Sequence, residues 1–128
     1  MTRAPMRVFI VITLLMTSTT PAWAEWTKVV ENARATVYRD YATVEKHGDL
    51  RRVWILADLK EPDRYGALSW RTQEEYDCMR NQWHIVKASL HSEQMGGGEV
   101  LGSEVRYTQW REIPSGSPLQ QVLQELCQ

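Results

Sequence analysis

The sequence predicts an α+β fold: an antiparallel sheet of about six strands with a C-terminal helix packed on one face, held by one disulfide. Three observations carry this expectation. Short runs rich in β-branched and aromatic residues recur between turn residues along most of the chain, which is how half-buried strands read. One stretch near the C-terminus repeats its apolar residues at helical spacing behind a capping signal. The two cysteines, Cys78 and Cys127, follow an alternating strand pattern and that helix respectively.

In chain order, residues 1–24 are expected to be a cleaved secretory signal. Arg3 and Arg7 form a positive n-region, residues 8–16 an apolar run broken only by Thr13, and Ala22-Trp23-Ala24 a small-x-small cleavage site before Glu25. The apolar run is well short of the ~20 residues of a spanning helix, so no transmembrane anchor is expected. No cysteine stands at the cleavage point to accept a lipid. The folded domain is then residues 25–128, in an exported, periplasmic or secreted setting. There an even pair of cysteines reads as a disulfide, whereas in the cytosol it would read as two free thiols. A bridge across a separation of 49 residues is worth about 4 kcal/mol in the chain-entropy model.

Trp26 opens a short strand over residues 26–30. Residues 35–44 and Leu50–Leu59 flank the turn Lys46-His47-Gly48-Asp49, the pattern of a β-hairpin. Residues 61–68, with Pro62 and Gly66, read as a surface loop. Over residues 70–78 the odd positions Arg71, Gln73, Glu75 and Asp77 are all polar. Alternation therefore gives this strand a wet odd face and turns Cys78 inward beside Tyr76. Residues 82–90 read as a further strand, Gly96-Gly97-Gly98 as a flexible turn, and residues 105–110 as a last short strand. Ser117 is the helix N-cap, Pro118 the first helical residue and Gln120 the third position of a capping box. Leu119, Val122, Leu123 and Leu126 then form one apolar stripe. Cys127 lies about 80° from Leu119 around the helix, so a helix on the inward face of strand 70–78 can bring it to Cys78.

Composition narrows the function classes. The 128 residues suit one folding unit, with no room for a (β/α)₈ barrel of about 250 residues. Lys and Arg number 15 against 16 Asp and Glu, a formal charge of −1. Such a chain lacks the basic footprint of a nucleic-acid binder.

The candidate chemistry is sparse. A nucleophilic Cys78 would need a base, but a bridged cysteine cannot act, and Asp77 projects to the opposite strand face. His84 and His91 are an odd number of residues apart, which sends them to opposite faces; His47 sits in a turn. No set of three or four ligands forms, so no metal is expected. Glu74 and Glu75 alternate across a strand and need no catalytic role. Gly96–Gly98 precede no helix start and so make no phosphate loop, and no cofactor is expected. Asp40, within an apolar-aromatic strand, is either a hydrogen-bonded structural residue or part of a site. Trp26, Trp54, Trp70, Trp83 and Trp110 supply either buried area or a glycan-stacking platform, and in a small β-rich core burial is the commoner use.

One strand suggests a contact surface. In Leu50–Leu59 the odd residues Val53, Ile55, Ala57 and Leu59 are apolar, and the even row adds Trp54 and Leu56. One helix covers one face. The other needs loops 61–68 and 96–102, a second protomer in a homodimer, or a ligand. Trp54 and Leu56 are thus the candidate ligand-binding residues.

Several stretches resemble the surface-adhesin protein E family of gram-negative bacteria. They are Val37-Tyr38-Arg39-Asp40, Val53-Trp54-Ile55-Leu56 with Asp58 and Pro62, and Glu75-Tyr76-Asp77-Cys78, followed by Trp110, Pro114-Ser115-Gly116-Ser117 and Cys127. The resemblance covers nearly all of residues 25–128. It implies an antiparallel sheet with a C-terminal helix, tied at Cys78 and Cys127. It also implies a non-enzymatic binding module for a protein partner, host extracellular-matrix proteins among them. The alternative is a soluble periplasmic protein with a structural or envelope-maintenance role that shares only the fold.

Overall fold

The computed structural model describes residues 3–15, 25–105 and 108–128. The expected cleavage site at 22–24 lies outside them. Residues 3–15 have no regular secondary structure, and among the described residues no helix is long and apolar enough to cross a membrane.

Strand β1 (Trp26–Glu31) turns at Asn32, whose Oδ1 accepts from the backbone N–H of Arg34 and Ala35, into β2 (Ala35–Asp40). The expected run through 44 is broken there. Asp40 Oδ1 accepts from Ala42 N at 3.0 Å and caps a 3₁₀ turn, Tyr41–Thr43. The hairpin then resumes as β3 (Glu45–His47), a Gly48 turn at φ +59°, and β4 (Leu50–Leu59). Both β2 and β3 pair antiparallel with β4, Tyr38 opposite Leu56 and Lys46 opposite Arg51. The sheet continues through β5 (Ser69–Asp77), β6 (Gln82–His91) and β7 (Val100–Val105), in the order β1-β2-β4-β5-β6-β7. The short β8 (Arg111–Glu112) pairs with β6 at Gln82 and Trp83. In place of the expected last strand over residues 105–110 there are thus two, β7 ending at Val105 and β8 beginning at Arg111. Of that stretch, 106–107 fall outside the described residues, and Thr108 bonds Ile85 through its backbone N–H and its hydroxyl.

Three further expectations need correction. Between β5 and β6 the register slips: Gln73 faces Lys87 but Glu74 faces Ile85, leaving Val86 as an extra residue. A one-residue bulge inverts parity beyond it, so His84 (opposite Glu75) and His91 (opposite Ser69) share a face instead of opposing each other. The odd face of β5 is not wet at its C-terminal end, where Glu75 and Asp77 are buried. Asp77 turns to cap the next loop, accepting from the backbone of Met79 and Arg80. Finally, the glycine-rich turn is strapped down. Met95 N–H donates to Asp58 Oδ1 at 2.8 Å, Gly96 N–H donates to Ser69 Oγ, and that hydroxyl donates to Glu93 O. Gly102 belongs to β7.

Helix α1 (Pro118–Leu126) begins as its sequence requires, with Ser117 Oγ accepting from Gln120 N–H. Gln120 Oε1 reaches back to Gly116 N–H at 2.6 Å. Val122, Leu123 and Leu126 bury their stripe against Val53, Ile55, Tyr76 and Ile113. Burying such side chains contributes about 1.5–3 kcal/mol each, and this layer is the core. Two links reinforce it: the Cys78–Cys127 disulfide, with Cα atoms 5.7 Å apart, and an ion pair at 3.2 Å from Arg39 Nε on β2 to Glu125 Oε2.

Candidate functional site

Among the described residues the sheet has one face under α1 and one without an α-helix, and each carries a distinct group of functional side chains. On the open face the even row of β4 divides. Leu56 is fully buried, because the Gln94–Gly96 turn lies across it and a Cβ at Gly96 would meet Leu56 Cδ1 at 3.8 Å. Loop cover therefore removes Leu56 as a contact residue. Trp54, one pleat along, is only half-buried, with the Arg71 guanidinium 4.1 Å from its ring centroid. Trp54 and Arg71 form one wall of a shallow groove of about 260 Å³ that Lys87, Ser89, Ser103 and Glu104 complete.

Beside this groove Glu75 bridges Arg52 and His84. Arg52 Nη2 donates to its Oε2 at 3.1 Å, and His84 Nε2 lies 2.9 Å from Oε1. The His84 ring packs on Trp110 at 4.2 Å. Burial pushes the Glu75 carboxyl up, but the contacts with His84 and Arg52 outweigh it and hold the acid below its ordinary value. At the other end of β6, His91 Nε2 meets Ser89 Oγ at 2.8 Å. Burial, then the charge of Arg71, lowers its imidazole.

Under α1 lies a cavity of about 290 Å³, floored by Thr72, Glu74 and Tyr76 and roofed by Pro118, Leu119 and Val122. Glu74 is 4% exposed. Thr72 Oγ1 donates to its Oε2 at 2.7 Å and Tyr76 Oη donates to its Oε1 at 3.0 Å. Burial pushes this carboxyl up to about 7, with the two hydroxyls offsetting part of the shift. The Tyr76 phenol is raised well above its usual range by its own burial and by Glu74. Sequence reasoning set Glu74 aside as half of an alternating pair. The signal was present, since it is the one acid in the inward row Trp70, Thr72, Glu74, Tyr76.

The remaining candidates are structural. Asp40 is the 3₁₀ cap, and Cys78 is in the disulfide. The tryptophans form no single platform: Trp70 and Trp83 line the cavity under α1, while Trp54 lies on the opposite face. Among the described residues no cluster of three or more His, Cys, Asp or Glu side chains could hold a metal ion.

A family model described as Surface-adhesin protein E matches residues 26–128. Solved structures of Haemophilus influenzae protein E share the fold. Its crystal form II superposes with a TM-score of 0.58 at 16% identity, covering 80% of this chain and 86% of that one. A second structure of the same protein gives 0.57 at 18% identity, with 80% and 83% covered. Its selenomethionine form gives 0.57 at 17%, with 80% and 84% covered. No curated protein matches the sequence.

Proposed function

The chain belongs to the surface-adhesin protein E family, and on that premise we propose that it is an exported, non-enzymatic module that recognises a protein partner through its open sheet face. The observation that carries this reading is the half-buried Trp54 stacked under Arg71 in a shallow groove. Tryptophan and arginine are the side chains that most often dominate protein interfaces, because each combines a large contact area with a directional polar group. Among the described residues, Arg71 and Lys87 outnumber the one acid, Glu104, in the lining of this groove, which suits a partner with an acidic segment. Host extracellular-matrix proteins are the proposed partner class, following from the family. Export would remove residues 1–24 and leave Glu25 as the first residue.

The test combines location and binding. Protein recovered from cells should have the intact mass of residues 25–128, and protease added to intact cells should degrade it. Purified protein should bind one or more matrix glycoproteins in a surface-captured panel. Trp54→Ala and Arg71→Glu should each weaken that binding about tenfold or more with unchanged melting temperature. Protection from protease with no matrix binding overturns the adhesin reading in favour of the periplasmic role. Loss of self-association in Trp54→Ala, seen by sedimentation without any matrix binding, reassigns the groove to a homodimer.

A further inference from the structure

We propose that the cavity beneath the first turn of α1 is a binding site for a small primary amine with an apolar tail, its ammonium group paired with the Glu74 carboxylate that Thr72 and Tyr76 orient. This site lies on the opposite face from the Trp54 groove and is independent of the reading above. Three oxygen-bearing side chains stand at alternate positions of one strand and converge, since Glu74 bonds the hydroxyls of both Thr72 and Tyr76. An alkylammonium offers three donors and no acceptor. The carboxylate keeps lone pairs beyond the two already engaged. Tyr76 is fully buried, so the hydroxyls serve to orient the Glu74 carboxylate, and that carboxylate is the group an ammonium meets. Among the described residues no lysine, arginine or histidine lines the cavity, so the charge of an ionised Glu74 has no counterpart there. A buried charge without a partner is costly, and an incoming cation is the group that relieves it.

The rest of the lining sets the tail. Apart from Thr72, Glu74 and Tyr76 it is apolar or aromatic, with Ile55, Ala57, Leu59 and Trp83 among the walls. A volume of about 290 Å³ lies at the small end of ligand pockets and admits a short hydrocarbon chain. A carboxylate ligand would place like charge against Glu74, and an alcohol would leave the acid uncompensated. The same chemistry gives binding a pH dependence. The walls that β2, β4, β6 and α1 contribute hold no titratable side chain. Tyr76, the one other ionisable neighbour among the described residues, stays neutral because its phenol is raised well above its usual range. Glu74 alone changes charge near neutrality, with its carboxyl at about 7, while an alkylamine remains protonated, as lysine does, below about pH 10.

The experiment titrates the purified protein with n-octylamine, 1-octanol and octanoate. Binding is followed by calorimetry and by the fluorescence of Trp70 and Trp83, which line the cavity. Octylamine at pH 8 should bind about tenfold or more tightly than either neutral or anionic probe. Its affinity should fall about tenfold between pH 8 and pH 6 as Glu74 takes up a proton. Glu74→Gln should abolish the preference for amine and its pH dependence. Leu119→Trp, which fills the roof, should block amine and alcohol alike while leaving Glu74 in place. Equal binding of the three probes to the unmodified protein, or amine binding unaffected by pH or by Leu119→Trp, overturns the proposal. If Glu74→Gln fails to fold, the probe and pH series on the unmodified protein decides it.

Discussion

Glu74 and Glu75 are adjacent on β5 and buried to nearly the same extent, 4% and 7% exposed, yet they lie on opposite faces and behave oppositely as acids. Under α1, Glu74 meets, among the described residues, only hydroxyls and apolar walls, and its carboxyl is pushed up to about 7. On the open face, Glu75 suffers burial too, but His84 and Arg52 more than offset it and the acid is held low. Loss of water alone therefore does not set an acid's behaviour; what replaces the water does. The helix-covered face pairs Arg39 with Glu125 but, among the described residues, lines the cavity around Glu74 with no cation, and so it stores one uncompensated acid. The open face gathers charge and compensates it, from the Glu75 bridge to the Arg71–Trp54 stack.

The largest way to break this contrast is to loosen the helix. Cys127→Ser removes the bridge at the helix C-terminus and should cost about 4 kcal/mol, measured by denaturant melts without reductant. Water reaching the cavity should also bring the Glu74 titration, followed by carboxyl NMR, back toward the usual carboxylate range. If the pKa stays near 7 while stability falls, the helix is not what keeps Glu74 dry.

A paired substitution sharpens the contrast further. Glu74 has a folded pKa above its unfolded value of 4.5. Between pH 4.5 and 7 the native state holds a proton that the unfolded chain has released, so this acid lowers stability as pH rises through that window. The penalty is complete above about pH 7. Glu74→Gln should therefore stabilise the protein at pH 8 relative to pH 4.5, by up to about 3 kcal/mol. Glu75 has the reverse sign: its contribution is present above the ordinary carboxylate range and is lost as pH falls through its lowered folded value. Glu75→Gln should cost about 2 kcal/mol at pH 7, because Arg52 and the buried His84 lose their carboxylate. Melting curves of both variants at the two pH values check the signs. Equal shifts in the same direction would show that burial outweighs pairing on both faces.

The smallest effect tests the cover on the open face. Trp110, partly exposed, packs its ring on His84. Trp110→Ala should cost about 1 kcal/mol and weaken the depression of Glu75 by admitting water, again read by carboxyl NMR.

Much of this architecture was legible in the residues. The alternation over 70–78 places Thr72, Glu74 and Tyr76 on one face, and the structure keeps them there. The Ser117–Gln120 box and the Leu119–Leu126 stripe locate the helix and its buried side. Other features depended on chain far away in sequence. Leu56 and Trp54 have the same parity and similar character, and only the turn strapped down by Asp58 and Ser69 separates a fully buried residue from a half-buried one. His84 and His91 were assigned opposite faces by counting, and the extra residue at Val86 undid the count.

By itself the sequence determined what bonded geometry enforces: strand alternation, the helical stripe and its cap, and the turn within residues 46–49 between paired strands. These depend on backbone periods of two and 3.6 residues and on side chains that bond their own near neighbours. The tertiary structure decided which acid keeps a proton, which aromatic residue stays open, and which charges find partners. Those outcomes depend on which side chains exclude or replace water around a group. At Glu74 that is α1, brought from the far end of the chain; at Glu75 it is Arg52 and His84, brought by the two neighbouring strands.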